Sequence, residues 1–320
     1  MIVTLTANPS MDRTVELPGE FKRGTVIRAE RAVLDPGGKG VNIARALKVS
    51  GFDTVAVLPG DDDDPVLASL REEGVKFSNM PIGSPIRSNI TVVEGDGTTT
   101  KLNAPGEPLN DVAQQELTRL LIQETKGASW LVLAGSLPLG VPSDYYSVVG
   151  RAIREAQAGD APRIAVDTSG YALRDAVNGQ DGMPNLIKPN SEELAELVGH
   201  SDSWRELEGN IELTAQTARQ LVDRGISTVL ATLGGGGAVL VTADGAWHAQ
   251  HSPVKVRSTV GAGDCSLAGY LIANEQGKSP QECLIQAVAH GSAAAALPGT
   301  QVPVLEKTSP ESVTLTELSL

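Results

Sequence analysis

Apolar, β-rich segments recur at residues 54–58, 130–134, 163–167, 185–187 and 227–231, and most are separated by stretches of helical spacing near 39–50, 63–73, 110–124, 143–158 and 211–224. Strands that are apolar throughout must be covered on both faces, and helices between them provide the cover. The alternation predicts an α/β fold: a doubly wound, mainly parallel sheet flanked by helices. With 41% apolar residues but only 3% aromatics, the core has to be built from Val, Leu, Ile and Ala, which suits buried parallel strands. A length of 320 residues fits one large domain over residues 1–320 with a small appendage.

Two regions break the rhythm. Residues 13–34 and 86–103 alternate apolar and polar side chains, and Glu94-Gly95-Asp96-Gly97 supplies hairpin chemistry between Ile90-Thr91-Val92-Val93 and Thr98-Thr99-Thr100-Lys101-Leu102. These segments are expected to form the four strands of a small separate sheet, a lid inserted in the larger domain. A thin sheet with one apolar face needs cover from the core or from a second copy of itself, so a homodimer through the lid is one expected assembly.

The formal net charge of −13 excludes a nucleic-acid partner or an anionic membrane as the general expectation. Any phosphate site must be a local island of positive charge. Cys265 and Cys283 fit no metal-ligand spacing and read as reduced thiols. Met1 leads directly into the strand-like Ile2-Val3-Thr4-Leu5-Thr6, and no stretch of about 18 apolar residues occurs, so a cytoplasmic protein without a leader is expected.

The chemistry concentrates in Thr259-Val260-Gly261-Ala262-Gly263-Asp264, ahead of a buried-helix pattern. Glycines at a helix mouth let the amides of residues 261–264 converge at the positive end of the dipole, forming an anion hole. Beside it, Asp264 is placed to take a proton from an attacking hydroxyl while Gly261, Ala262 and Gly263 absorb phosphoryl charge. A glycine-capped helix with a favourable first-turn acid is the alternative. Asp12, after the first strand, sits where open α/β sheets bind ligands and reads either as an acceptor for sugar hydroxyls or as a turn aspartate.

Gly37-Gly38-Lys39-Gly40 opens a helix with bare backbone and a cation, and Asn42 lies one turn beyond Gly38. This is no Walker A loop, because no Ser or Thr follows Lys39 and the glycine spacing is wrong. Arg87 and Asn89 enter the second lid hairpin and Lys101 and Asn103 leave it, so basic groups there are placed to hold a substrate phosphate. For Lys101 the surface-charge reading is the stronger of the two. Lys188-Pro189-Asn190 ends a strand, and Asn190 with Glu193 forms a capping box that also suits Mg²⁺ bound through water. Thr232 and the run of glycines at 234–237 end another strand, and read as a nucleotide contact or a hairpin turn. The acidic run at residues 61–64 reads as a solvated loop.

Taken in order, Asn-Pro-x-x-Asp near residue 10, Gly-Gly-Lys-Gly-x-Asn near 40, Gly-Ser-Leu-Pro at 135–138, Lys-Pro-Asn-x-x-Glu at 188–193, Thr-Leu-Gly at 232–234 and Gly-Ala-Gly-Asp at 261–264 strongly resemble the ribokinase-like (PfkB) carbohydrate kinases, from about residue 2 to residue 312. The likeness is greatest to the branch of 1-phosphofructokinases and tagatose-6-phosphate kinases. The resemblance implies Asp264 as catalytic base, the amides of residues 261–263 as anion hole, and Asp12, Gly38, Lys39 and Asn42 as sugar contacts. It puts Arg87 and Asn89 near the sugar phosphate, with Lys188, Asn190, Glu193, Thr232, Gly234 and Gly237 serving ATP and its Mg²⁺, and Ser292 beside the adenine. The implied reaction is transfer of the ATP γ-phosphoryl group to a phosphorylated hexose, fructose 1-phosphate first, with tagatose 6-phosphate or fructose 6-phosphate as alternatives. Ser258 stands where many family members have Asp, which bears on a monovalent-cation site and not on catalysis. A nicotinamide-dependent oxidoreductase is disfavoured because GxGxxG is absent after the first strand, and a non-catalytic sugar-phosphate sensor because Asp264 and its glycines are intact.

Overall fold

The computed structural model describes residues 1–179, 182–199 and 204–319. Ten strands form the main sheet: β1 (Ile2–Thr6), β4 (Thr54–Pro59), β5 (Lys76–Met80), β8 (Trp130–Ala134), β9 (Arg163–Asp167), β10 (Leu186–Ile187), β11 (Thr228–Thr232), β12 (Ala238–Thr242), β13 (Gly245–His251) and β14 (Val313–Leu318). The remaining strands, β2 (Ser10–Glu16), β3 (Arg31–Gly37), β6 (Ser88–Val93) and β7 (Thr99–Leu102), form a separate sheet. The described helices are α1 (Lys39–Val49), α2 (Pro65–Glu72), α3 (Asp111–Glu124), α4 (Tyr145–Ala156), α5 (Gly170–Asn178), α6 (Ser191–Leu197), α7 (Trp204–Gly209), α8 (Ile211–Asp223), α9 (Ala262–Glu275) and α10 (Pro280–Ala295).

The main sheet runs β14-β13-β12-β11-β10-β9-β8-β1-β4-β5. From β11 to β5 every pairing is parallel, while β12, β13 and β14 add an antiparallel edge. Strand alternation sorts the core into two layers. Val3, Leu5, Leu131 and Leu133 face the layer holding Leu117 and Leu121 of α3 and Tyr146, Val149 and Ile153 of α4. Ile2, Val132 and Ala134 face the other, with Ile43 and Leu47 of α1, Leu267 and Leu271 of α9, and Leu284 and Val288 of α10. The result is the α/β sandwich that the periodicity predicts.

Helix α9 is buried without a break from Asp264 to Ala273. A helix apolar on all sides belongs in the interior. It carries its N-terminus, with Asp264 on the first turn, to the carboxyl ends of the parallel strands, where such sheets bind ligands.

The small sheet has the order β3-β2-β6-β7, with β2 and β6 parallel and the outer pairs antiparallel. Residues 17–30 form no strand, and β2 starts at Ser10. Asp12 therefore lies inside β2, and not in a loop at the end of β1.

Candidate active site

Gly261 caps α9 in the left-handed region, at φ +77°, a conformation that costs glycine little. Its carbonyl accepts from the Cys265 amide at 2.8 Å, closing the first turn. The Gly263 and Asp264 amides lie on that turn with no carbonyl four residues back inside the helix, so they are free for an anion. The Ala262 amide is turned toward the Thr259 carbonyl, 3.4 Å away.

Asp264 is buried, and its Oδ2 accepts a hydrogen bond from Asn42 Nδ2 at 2.8 Å. Asn42 reaches it because α1 begins at Lys39, after Gly38 at φ +111°, where a side chain would strike Thr6. The two glycine turns thus bring the mouths of α1 and α9 together. Burial pushes the Asp264 carboxyl above the ordinary aspartate range; Asp167 adds to this, while Lys39, Asn42 and Lys188 oppose it. A raised pKa makes the carboxylate a stronger proton acceptor.

Lys39 Nζ lies 2.6 Å from Asp167 Oδ1, and Lys188 Nζ 3.1 Å from Asp167 Oδ2. Burial alone would lower the Lys39 ammonium, but Asp167, Asp264 and Glu193 outweigh it and hold the group charged. Asp167 is fully buried; that environment would raise its carboxyl, and the two lysines reverse the direction and keep it ionised. Sequence reading missed Asp167. The available signal was a charged residue closing the apolar run Ile164-Ala165-Val166 at the carboxyl end of a parallel strand.

On the small sheet, Asp12 Oδ1 accepts from Ser10 Oγ at 2.7 Å and from Asn89 Nδ2 at 3.0 Å. Cross-strand register explains the second bond, since Asp12 pairs with Asn89. Gly37 packs so closely on the Asp12 carboxylate that any side chain there would collide with it. Arg87 directs its guanidinium at three carbonyls: Nε to Pro9 at 3.2 Å, Nη1 to Ala104 at 2.6 Å and Nη2 to Asn8 at 3.0 Å. It clasps the β1–β2 connection to the segment after β7. Lys101 and Asn103 are exposed, and Lys101 pairs with Thr91, two strands over and one side-chain row along from Asp12.

A cavity of about 960 Å³ opens beside the α9 mouth, and Asn190, Thr232, Gly234, Gly237, Gly263 and Ser292 all line it. Six positions from four distant segments are thus brought to one wall. The glycines at 234–237 form the β11–β12 hairpin loop, and the Asn190–Thr232 bridge aligns the ends of β10 and β11. Trp204, Val254, Val256 and Val288 add apolar lining that no sequence pattern marked. Asn190 and Glu193 form the capping box: Asn190 Oδ1 accepts from the Glu193 amide at 2.8 Å, and Glu193 Oε2 from the Asn190 amide at 2.9 Å. Burial raises the Glu193 carboxyl. The acidic run at 61–64 is a solvated loop only in part: Asp62 and Asp63 are exposed, as the sequence suggests, while Asp61 and Asp64 turn inward. Asp61 accepts from the Ile82 and Gly83 amides, and Asp64 caps α2 and accepts from the Ile86 amide, anchoring the segment that leads to Arg87.

Comparison with known proteins gives a consistent picture. The profile described as pfkB family carbohydrate kinase matches residues 6–308. The chain is 34% identical over 308 residues to a 1-phosphofructokinase of Haloferax volcanii, covering 96% of this chain and 94% of that one. It is 32% identical over 305 residues to the ATP-dependent 6-phosphofructokinase isozyme 2 of Escherichia coli, covering 94% of each. The structure of phosphofructokinase-2 from Escherichia coli in complex with substrates and products superposes with a TM-score of 0.85 at 30% identity, covering 96% of both chains.

Proposed function

The chain belongs to the pfkB family of carbohydrate kinases, as a phosphofructokinase-type sugar kinase that uses ATP, and from that premise we propose that it phosphorylates fructose 1-phosphate at C6, giving fructose 1,6-bisphosphate and ADP. The observation that carries the reading is Asp264: a buried carboxylate, raised in pKa and held by Asn42, on the first turn of a glycine-capped helix.

In this mechanism Asp264 accepts the proton of the sugar hydroxyl as that oxygen attacks phosphorus. The Gly263 and Asp264 amides receive charge that develops on the transferred group. Asn42 fixes the carboxylate, and Asp12 and Asn89 orient the sugar. Lys39 and Lys188 supply the positive charge that an overall acidic chain must concentrate locally. The small sheet, with Asp12 and Arg87 at its inner end, acts as a lid that excludes water when the sugar is bound.

Mg²⁺ fits the donors present. Among the described residues no three His, Cys, Asp or Glu side chains cluster to cage a metal. Magnesium keeps most of its waters, and the capping box commits only one Glu193 oxygen. Asn190 and Glu193 would hold the ion through water, and its charge would neutralise the ATP phosphates.

A coupled ADP-release assay with fructose 1-phosphate, fructose 6-phosphate, tagatose 6-phosphate and fructose tests the substrate. The highest kcat/KM is expected for fructose 1-phosphate. A preference for fructose 6-phosphate would favour the second reading, which the similarity to the Escherichia coli isozyme motivates. A preference for unphosphorylated fructose would remove the phosphosugar assignment.

A homodimer through the lid and a cytoplasmic location complete the proposal. Cross-strand pairing puts Leu34, Arg13, Ile90 and Leu102 in one row on the face opposite Asp12, and Leu34 and Leu102 are 53% and 58% exposed. Three of these four side chains are apolar, and exposed leucines flanking Arg13 in this way call for cover. Leu34→Glu with Leu102→Glu should give a monomer in analytical ultracentrifugation; an unchanged sedimentation coefficient would rule out this face. Among the described residues no helix is long and apolar enough to cross a membrane.

A further inference from the structure

We propose that Asp167 is a positioning residue of the phosphoryl-transfer site, holding the ammonium groups of Lys39 and Lys188 from two other segments beside Asp264 and the mouth of α9. The inference rests on the kinase reading above and extends it to a residue that neither the motifs nor the cavity lining marks.

Three observations converge. Each oxygen of one carboxylate takes a different lysine, at 2.6 and 3.1 Å, so the spacing of the two cations is set by a single side chain. The Asp167–Lys188 pair is desolvated, at 0% and 4% side-chain exposure, while Lys39 is 34% exposed. A buried ion cluster is costly and contributes little net stability, so structural need alone gives a poor account of it. Finally, Lys188 Nζ lies 3.2 Å from the point where a Gly263 side chain would begin, against the first turn of α9. The glycine leaves room for the ammonium exactly where an anion on the helix mouth would need it.

The charge count gives Asp167 a second consequence. The charged groups facing Asp264 are Lys39 on α1, Asp167 at the end of β9 and Lys188 after β10, with Glu193 of α6 beyond Lys39. Its neighbour Cys265 is a buried thiol pushed upward, and stays protonated. Asp167 occupies Lys39 and Lys188 and so keeps them from neutralising the base. Without it, Asp264 becomes the acid that acts most strongly on Lys39. The base weakens and the lysines lose their fixed places.

The test is kcat/KM for the preferred phosphosugar against pH in wild type, Asp167→Asn and Lys188→Met, each first checked for a cooperative thermal melt. Comparison on one substrate cancels the titration of the sugar phosphate itself. Asp167→Asn should lower kcat by on the order of 10²-fold, the effect of misplacing reacting groups by about 1 Å. Its acid limb should move to lower pH, because the anion that raises Asp264 is gone. Lys188→Met should move the acid limb the opposite way, because a cation that lowers Asp264 is gone. A merely structural role would not produce shifts of opposite sign. Coincident acid limbs in Asp167→Asn and wild type, or a lower melting temperature with kcat intact, would overturn the inference. If Asp167→Asn does not fold, Asp167→Glu, which keeps the charge but displaces it, decides: kcat as in wild type overturns the inference, and a loss of about 10-fold or more supports it. An inactive wild type would instead overturn the kinase reading.

Discussion

Asp264→Asn is expected to lower kcat by roughly 10²–10⁴, the range for loss of a positioned general base. Asparagine keeps the size of the side chain and can still meet Asn42 Nδ2 through its carbonyl oxygen, so the local packing survives. What is lost is the proton acceptor. The amides at the α9 mouth and the walls of the cavity are untouched, so the affinity for ATP should change little. The pKa direction sharpens the expectation. Because burial raises the Asp264 carboxyl, wild-type activity should fall as pH drops through a value above the ordinary aspartate range. The variant should lack that acid limb.

Arg87→Ala is expected to raise KM for the phosphosugar by on the order of 10- to 100-fold, the worth of about 1.5–3 kcal/mol for charge-assisted hydrogen bonds. Two losses add. On the proposed reading a cation is lost from beside the sugar phosphate, and the carbonyls of Asn8, Pro9 and Ala104 lose the guanidinium that draws them together. Those carbonyls flank the segment that leads to Asp12, so this side of the site should loosen while the cavity beside α9 keeps its shape. Arg87→Lys should rescue little, because one ammonium cannot reproduce a fan of three N–H directions. An effect confined to KM for ATP, measured by steady-state kinetics with each substrate varied, would show that Arg87 does not serve the sugar.

The parallel core was legible because its strands are buried on both faces: Ile2-Val3-Thr4-Leu5-Thr6 and Trp130-Leu131-Val132-Leu133-Ala134 are apolar runs with little else to become. The edge was less so. Strand β14, Val313-Thr314-Leu315-Thr316-Glu317-Leu318, is half polar and pairs on one side only, so its identity depends on β13 being there to receive it. The glycine turns at 37–38 and 261–263 could be read because glycine is required where φ is positive or where another group comes close, as at Gly37 beside Asp12. Asp167 could not be ranked above other acids from the sequence, since its importance comes from Lys39 and Lys188, 128 residues upstream and 21 downstream, meeting on its two oxygens. Within the acidic run at 61–64 the solvated reading holds for Asp62 and Asp63 and fails for Asp61 and Asp64, whose carboxylates are filled by amides at residues 66, 82, 83 and 86 that no local pattern announces.

The account depends on Asp264 receiving the hydroxyl proton as the phosphoryl group is transferred. The most direct measurement is the rate of a single turnover of enzyme-bound ATP in a quenched-flow experiment, comparing wild type with Asp264→Asn at saturating phosphosugar. The account predicts that bisphosphate forms roughly 10²–10⁴ times more slowly in the variant while ATP is bound as tightly as before. Equal single-turnover rates in the two proteins would contradict it.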